Sequence, residues 1–186
     1  MSNEKTKVNM DPKYIIKLTV TLFVTCVIVA GLLGGVNAIT KDKIAQLKQE
    51  KMNQAMKQVL PGVDSFEAVA FTGEKSVKNV YQPVGGDGTA YVVEVAPSGF
   101  GGEISMMVGI DGGKVTGVSV VSHAETAGLG AIAADSSEKG VAFRSQFNDK
   151  SGQLTVGTDI EAITGATITS KAVTDGVNAA LAVKLG

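Results

Sequence analysis

Residues 89–123 read TAYVVEVAPSGFGGEISMMVGIDGGKVTGVSVVSH, and their periodicity decides the fold. Tyr91, Val93 and Val95 fall on one face of an extended segment, as do Ile104, Met106, Val108 and Ile110. A period of two is the strand signal. Ser98-Gly99-Phe100-Gly101-Gly102 supplies a turn between these runs. Asp111-Gly112-Gly113-Lys114 is a hairpin signal, because glycine takes positive φ without steric cost. KVTGVSVVSH then predicts a third strand whose alternation breaks near Gly117, where a bulge is expected. Three consecutive strands joined by turns make an antiparallel meander.

Upstream, residues 63–88 are mixed, with a loop at Gly85-Gly86-Asp87-Gly88. Residues 41–60 place Ile44, Leu47, Met52, Ala55, Met56 and Val59 near helical spacing, and Pro61-Gly62 stops the helix. A linker helix with one face packed on the domain is expected over 41–62; an amphipathic helix on a membrane surface is the competing reading. From Leu18 to Thr40 there are 23 residues without a charge. About 20 helical residues cross a hydrocarbon core of roughly 30 Å, so 18–40 reads as a transmembrane helix and 1–17 as a cytoplasmic tail. A cleaved signal peptide is the alternative, with a faint site at Gly35-Val36-Asn37-Ala38, but the apolar run exceeds the usual h-region. Lys5, Lys7, Lys13 and Lys17 flank one end; Lys41, Lys43, Lys48 and Lys51 flank the other. Lysine counting leaves orientation open; long following domains translocate largely regardless of charge, which favours residues 63–186 on the extracytoplasmic side.

Downstream, a glycine-rich loop at 124–131 precedes a helix expected within 135–147, a short strand at Gln153–Val156 and a helix over Ser170–Leu185, with Val173, Val177, Ala180, Leu181 and Lys184 at helical spacing. Strands together, helices flanking, make an α+β domain.

Composition excludes several classes. Of 186 residues, 44% are hydrophobic and the net charge is only −1, which argues against disorder. The single cysteine, Cys26, forbids an intrachain disulfide. One arginine, Arg144, a pI near 5.8 and no basic stripe argue against nucleic acid. His123 has no companion His or Cys, so no metal site is expected and a structural role suits it best. The carboxylates form no acid–base pair, and no nucleotide-binding glycine fingerprint is present, so no catalytic residue is assigned.

Thr164-Gly165-Ala166-Thr167-Ile168-Thr169-Ser170 is the unusual stretch. Hydroxyls and small residues at a helix start favour an anion, since free N–H groups and the helix dipole converge there. Ordinary helix capping, with Thr169 or Ser170 as N-cap, explains the same residues. ITGATITSKAV, however, resembles the [ST]-G-A-T-x-[ST] signature of the covalent FMN-binding domain family. SHAETAGLG resembles the family's ETPGLG loop, with Ala127 where proline is commoner. GFGGEISMMVGID resembles its glycine-led hairpin. Glu161 stands where the family usually has Asp.

The resemblance runs from about residue 10 to the C-terminus and is closest to the G subunits of Rnf-type electron-transport complexes; the C subunits of sodium-pumping NADH:quinone reductases are related. It implies FMN esterified to Thr167 by a separate flavin transferase. Thr164, Gly165, Ala166, Thr169 and Ser170 would line the phosphate and ribityl chain, and Glu125, Thr126, Gly128, Leu129 and Gly130 the opposite loop. Leu129 would lie against the ring or serve as a core residue; for Met106 and Met107 core packing is expected. It also implies other subunits of a membrane electron-transport complex as partners, in a bacterial or archaeal cell membrane. The alternatives are the quinone-reductase subunit, a free-standing tethered flavodomain, or a flavin-free scaffold whose GAT segment only caps a helix.

Overall fold

A computed structural model describes residues 11–86 and 88–185. Lys5, Lys7 and most of the expected tail, together with Asp87 of the glycine loop, lie outside the described residues. The chain divides into two compact units after Lys48.

Helix α1 runs unbroken from Pro12 to Val59. The expected span at 18–40 and the start of the linker helix at 41 thus fall within one helix, which also takes in residues 12–17. No glycine or proline occurs between Val36 and Leu60, so nothing stops propagation there. The helix contains a window long and apolar enough to cross a membrane. Thr19 and Thr21 donate back to the carbonyls of Ile15 and Lys17, which satisfies the hydroxyls within the helix.

Strands β1 (Phe66–Ala68), β3 (Val77–Pro83), β4 (Ala90–Val95), β5 (Ser105–Asp111) and β6 (Lys114–Ser122) form an antiparallel sheet in the order β1-β3-β4-β5-β6. The meander is as expected. Gly112 and Gly113 both have positive φ and close the two-residue hairpin, with Asp111 opposite Lys114. The register shifts between Gly109 and Ile110, which places the bulge at Thr116–Gly117. β1 and β3, within the stretch read as mixed, extend the sheet.

Both faces of the sheet are covered. Val93, Val95, Met106 and Val108 pack with Val173, Val177 and Ala180 of helix α3 (Thr167–Leu181) and with Phe143 and Phe147. Val92 and Met107 face the other way, against Met52, Ala55, Met56, Val59 and Leu60. Burial of each Met or Val contributes about 1.5–3 kcal/mol. Met106 and Met107 are thus core residues of opposite layers. The end of α1 docks on the sheet through Met52, Ala55, Met56 and Val59, four of the residues expected on its packed face. Thr116 donates to the Val59 carbonyl, and Ser119 donates to Gln58 Oε1 at 2.9 Å.

Helix α2 spans Glu138–Ser145, capped by Ser137 and preceded by a 3-10 turn at Gly130–Ala133. Two expectations are corrected. Residues 153–156 form no strand: the Asn178 side chain takes the Leu154 N–H (2.8 Å) and donates to its carbonyl (2.9 Å), the bonds a neighbouring strand would provide. The last helix spans Thr167–Leu181 rather than 170–185. Lys184 and Leu185 form β7, which pairs with β2 (Phe71–Thr72).

Candidate cofactor site

The turn into α3 is built by local bonds. Gln146 accepts from the Glu161 N–H (2.7 Å) and donates to its carbonyl (3.2 Å), fixing the incoming chain. Ala166 N–H donates to Ile163 O (2.9 Å), and Gly165 takes φ +78°, which favours glycine. Ser170 Oγ accepts from Ile163 N–H and donates to Ala166 O, both at 3.0 Å, so it ties the turn to the helix.

The capping reading is overturned by this geometry. The N-cap is Ala166, which has no side chain to cap with; Thr169 and Ser170 lie inside the first turn and are buried. A helix leaves its first N–H groups without intrahelical partners, and here the N-cap residue supplies no side-chain bond to them. Thr167 and Ile168, at those positions, face solvent.

The facing loop folds on itself. Leu129 and Ala131 N–H groups both donate to Thr126 O, at 3.2 and 3.1 Å, and Gly128 has φ +74°. Glu125 is buried beneath. Its Oε1 accepts from Gly101 N–H (2.8 Å), and its Oε2 accepts from the Thr169 hydroxyl. His123 is exposed, and its Nδ1 accepts from Glu125 N–H.

Between these segments lies a cleft of about 370 Å³. Of the residues singled out in the sequence, Glu125, Thr126, Leu129, Gly130, Gly165, Ala166, Thr167 and Thr169 line it. Gly128 and Thr164 open instead into a second cleft of about 670 Å³, bounded by α2. Ser170 is fully buried and supports the turn from below. Phe100 and Ile168 also line the first cleft and were not anticipated as site residues. The signal for Phe100 was an aromatic flanked by glycines at a turn; for Ile168, an apolar residue inside a run of hydroxyls.

The cleft is lined by one carboxylate, three threonines and several apolar side chains. Its one carboxylate is engaged by two donors, and no nucleophile–base pair is present among the described residues lining it. Phe100, Leu129 and Ile168 give an exposed apolar rim, suited to a planar aromatic system. The open N–H groups beside the Thr167 hydroxyl suit a phosphate. Gly165 keeps the floor open, since a Cβ there would lie 3.1 Å from Leu129 Cδ2. A phosphorylated isoalloxazine fits this set, and the volume falls in the usual range for such ligands.

Comparison with known proteins agrees. Residues 99–182 match the FMN-binding domain model, and residues 7–59 match the RnfG N-terminal region. The chain is 39% identical over 180 residues to the G subunit of the proton-translocating ferredoxin:NAD(+) oxidoreductase complex of Clostridium ljungdahlii, covering 92% of each chain. It is 34% identical to the Na(+)-translocating counterpart of Acetobacterium woodii, covering 96% of each. It is 35% identical to the G subunit of the ion-translocating oxidoreductase complex of Methanosarcina acetivorans, covering 92% of this chain and 95% of that one. On this likeness over nearly its whole length, the chain belongs to the family of G subunits of Rnf-type ion-translocating oxidoreductase complexes.

Proposed function

We propose that this chain is an electron-relaying subunit of a membrane complex that couples ferredoxin:NAD electron transfer to ion translocation, and that it carries FMN esterified to Thr167. The observation that carries the reading is the placement of Thr167. Its side chain is exposed at the first residue of α3, inside an apolar cleft and beside uncapped N–H groups. Bound there, FMN supplies one- and two-electron chemistry; the protein holds and orients it.

Thr167 is an attachment point and takes no part in turnover. In attachment its O–H bond breaks and an O–P bond forms to an activated flavin nucleotide. The departing group takes the electron pair, and the proton passes to solvent. A separate flavin transferase performs this step. Thr169, Gly165, Ala166 and the 125–130 loop enclose the phosphate and ring, with Leu129, Phe100 and Ile168 as apolar walls. The partners are the other subunits of the complex, as the relatives' names support.

The test is expression of the full chain with a flavin transferase, followed by in-gel fluorescence of the denatured band and intact mass. The wild type is expected to fluoresce and to be heavier by FMN less water. Thr167→Ala is expected to be dark at its unmodified mass with an unchanged circular dichroism spectrum, because the side chain is exposed and surface changes cost little. Acid-stable flavin on Thr167→Ala would sink the assignment.

We further propose that α1 spans the membrane once and that the FMN domain lies on the extracytoplasmic side, where a covalent tether prevents loss of the cofactor. Alkaline phosphatase fused to the C-terminus is expected to be active in cells; an inactive phosphatase in a stable fusion reverses the orientation.

A further inference from the structure

We propose that Glu125 is the positioning residue that fixes the walls of the cleft, and that its buried charge holds the reduction potential of the flavin low; this rests on the flavin reading above. Glu125 is 8% exposed and lines the cleft. One oxygen accepts from Gly101 N–H at 2.8 Å and the other from the Thr169 hydroxyl. One carboxylate therefore joins three segments: the 98–103 turn that carries Phe100, the 125–130 loop, and the first turn of α3.

The chain is shaped to admit this group. A Cβ on Gly99 would lie 2.5 Å from Glu125 Oε1, and one on Gly130 would lie 2.7 Å from Oε2. Gly101 packs against the backbone of Ala124 and Glu125 so closely that no Cβ fits. Room for the buried carboxylate is thus made by Gly99 and Gly130, while Gly101 lets the 98–103 turn approach the loop that carries it. Its oxygens are met by a backbone amide and a hydroxyl, which are dipoles and carry no countercharge. The two ion pairs among the described residues, Lys57–Asp64 and Lys78–Glu103, do not include it. Dipoles satisfy the lone pairs, but they leave the net charge in place.

That charge acts on whatever gains charge beside it. Two-electron reduction with uptake of one proton adds one negative charge within the cleft. Like charges at short range in a partly dry site repel, so a fixed carboxylate there favours the oxidised form and lowers the potential. A carboxamide of the same shape keeps hydrogen-bonding capacity and removes the charge.

The test uses the full chain in detergent, loaded by a flavin transferase and titrated with dithionite at pH 8 while flavin absorbance is followed. Loading is checked on each sample by in-gel fluorescence. A wild type without covalent flavin defeats the reading above and this proposal with it; a loaded wild type isolates this proposal, which then stands or falls on the variants. Glu125→Gln is expected to load and to titrate at a more positive midpoint. Thr169→Val keeps the charge and removes a dipole that offsets it, so its midpoint is expected to move the opposite way, to more negative values. A purely structural role predicts shifts of one sign or loss of loading in both. A loaded Glu125→Gln with an unchanged or lower midpoint overturns the proposal. Where Glu125→Gln does not load, Thr169→Val decides: an unchanged or raised midpoint overturns it, as does failure of both to load.

Discussion

Thr167 and Thr169 are two residues apart, which on a helix turns the side chains about 200° from each other. One hydroxyl therefore faces solvent while the other is buried on Glu125. The repetition of threonine looks like redundancy in the sequence, and the helix assigns the two copies different work. Gly130 shows how tightly the buried one is held. Its φ is not in the left-handed region, so alanine would cost nothing in backbone strain. A Cβ there would nonetheless lie 2.5 Å from Thr169 Oγ1 and 2.7 Å from Glu125 Oε2, forcing apart the pair that hydrogen-bonds. Gly130→Ala is expected to destabilise the domain by about 1–3 kcal/mol, the usual range for overpacking a filled site. A urea unfolding series with flavin-free protein measures it; a midpoint equal to wild type would mean that the loop shifts freely and that the clamp is loose.

At the scale of elements, what the sequence made legible was what local chemistry determines. The β5–β6 hairpin follows from two glycines and the alternation on either side of them. Its bulge follows from Gly117, whose Cβ would crowd Val59 Cα at 3.3 Å. Strand β3 escaped because its register shifts between Val77 and Asn79, which breaks the period of two that marks a strand. The expected strand at 153–156 failed for a related reason. Leu154 is buried and Val156 half-buried, but a side-chain amide from α3 completes the backbone bonding of Leu154. The end of α3 was misplaced because Lys184 continues the helical spacing while pairing in β7. The cleft was legible where motif and geometry coincide, at Glu125, Thr126, Leu129 and Gly130 and at Gly165, Ala166, Thr167 and Thr169. Phe100 was missed because it reaches the cleft through Gly101 and Glu125, 24 residues apart in sequence. Thr164 lines the second cleft from the far side of Gly165, whose φ of +78° redirects the chain before Thr167; Gly128 lines it from the separate 125–130 loop.

At the scale of the whole domain, covering both sheet faces forces polar groups into the layer beneath the end of α1. Glu94 is buried there, accepting from Asn79 Nδ2 at 2.7 Å and from the Tyr81 hydroxyl at 3.4 Å. Burial, and then the charge of Glu94 and its hydrogen bond, push the Tyr81 phenol above its ordinary value. Burial alone does the same to Tyr91 on the opposite face. A phenol whose folded pKa is raised favours the native state as long as it is neutral in both states. The unfolded chain ionises first, near pH 10, and binds fewer protons from there on. This part of the stability is therefore complete below about pH 10 and is lost as pH rises through the folded value. Urea midpoints taken between pH 8 and 11 are expected to fall above pH 10 in the wild type, and less steeply in a Tyr81→Phe, Tyr91→Phe double variant. The slopes carry the comparison, because removing the Tyr81 hydroxyl also costs its bond to Glu94 at every pH, whereas lysine deprotonation is common to both proteins. Equal slopes would mean that the two phenols titrate alike in the folded and unfolded chains, and that the layers over Tyr81 and Tyr91 admit water more freely than their packing implies.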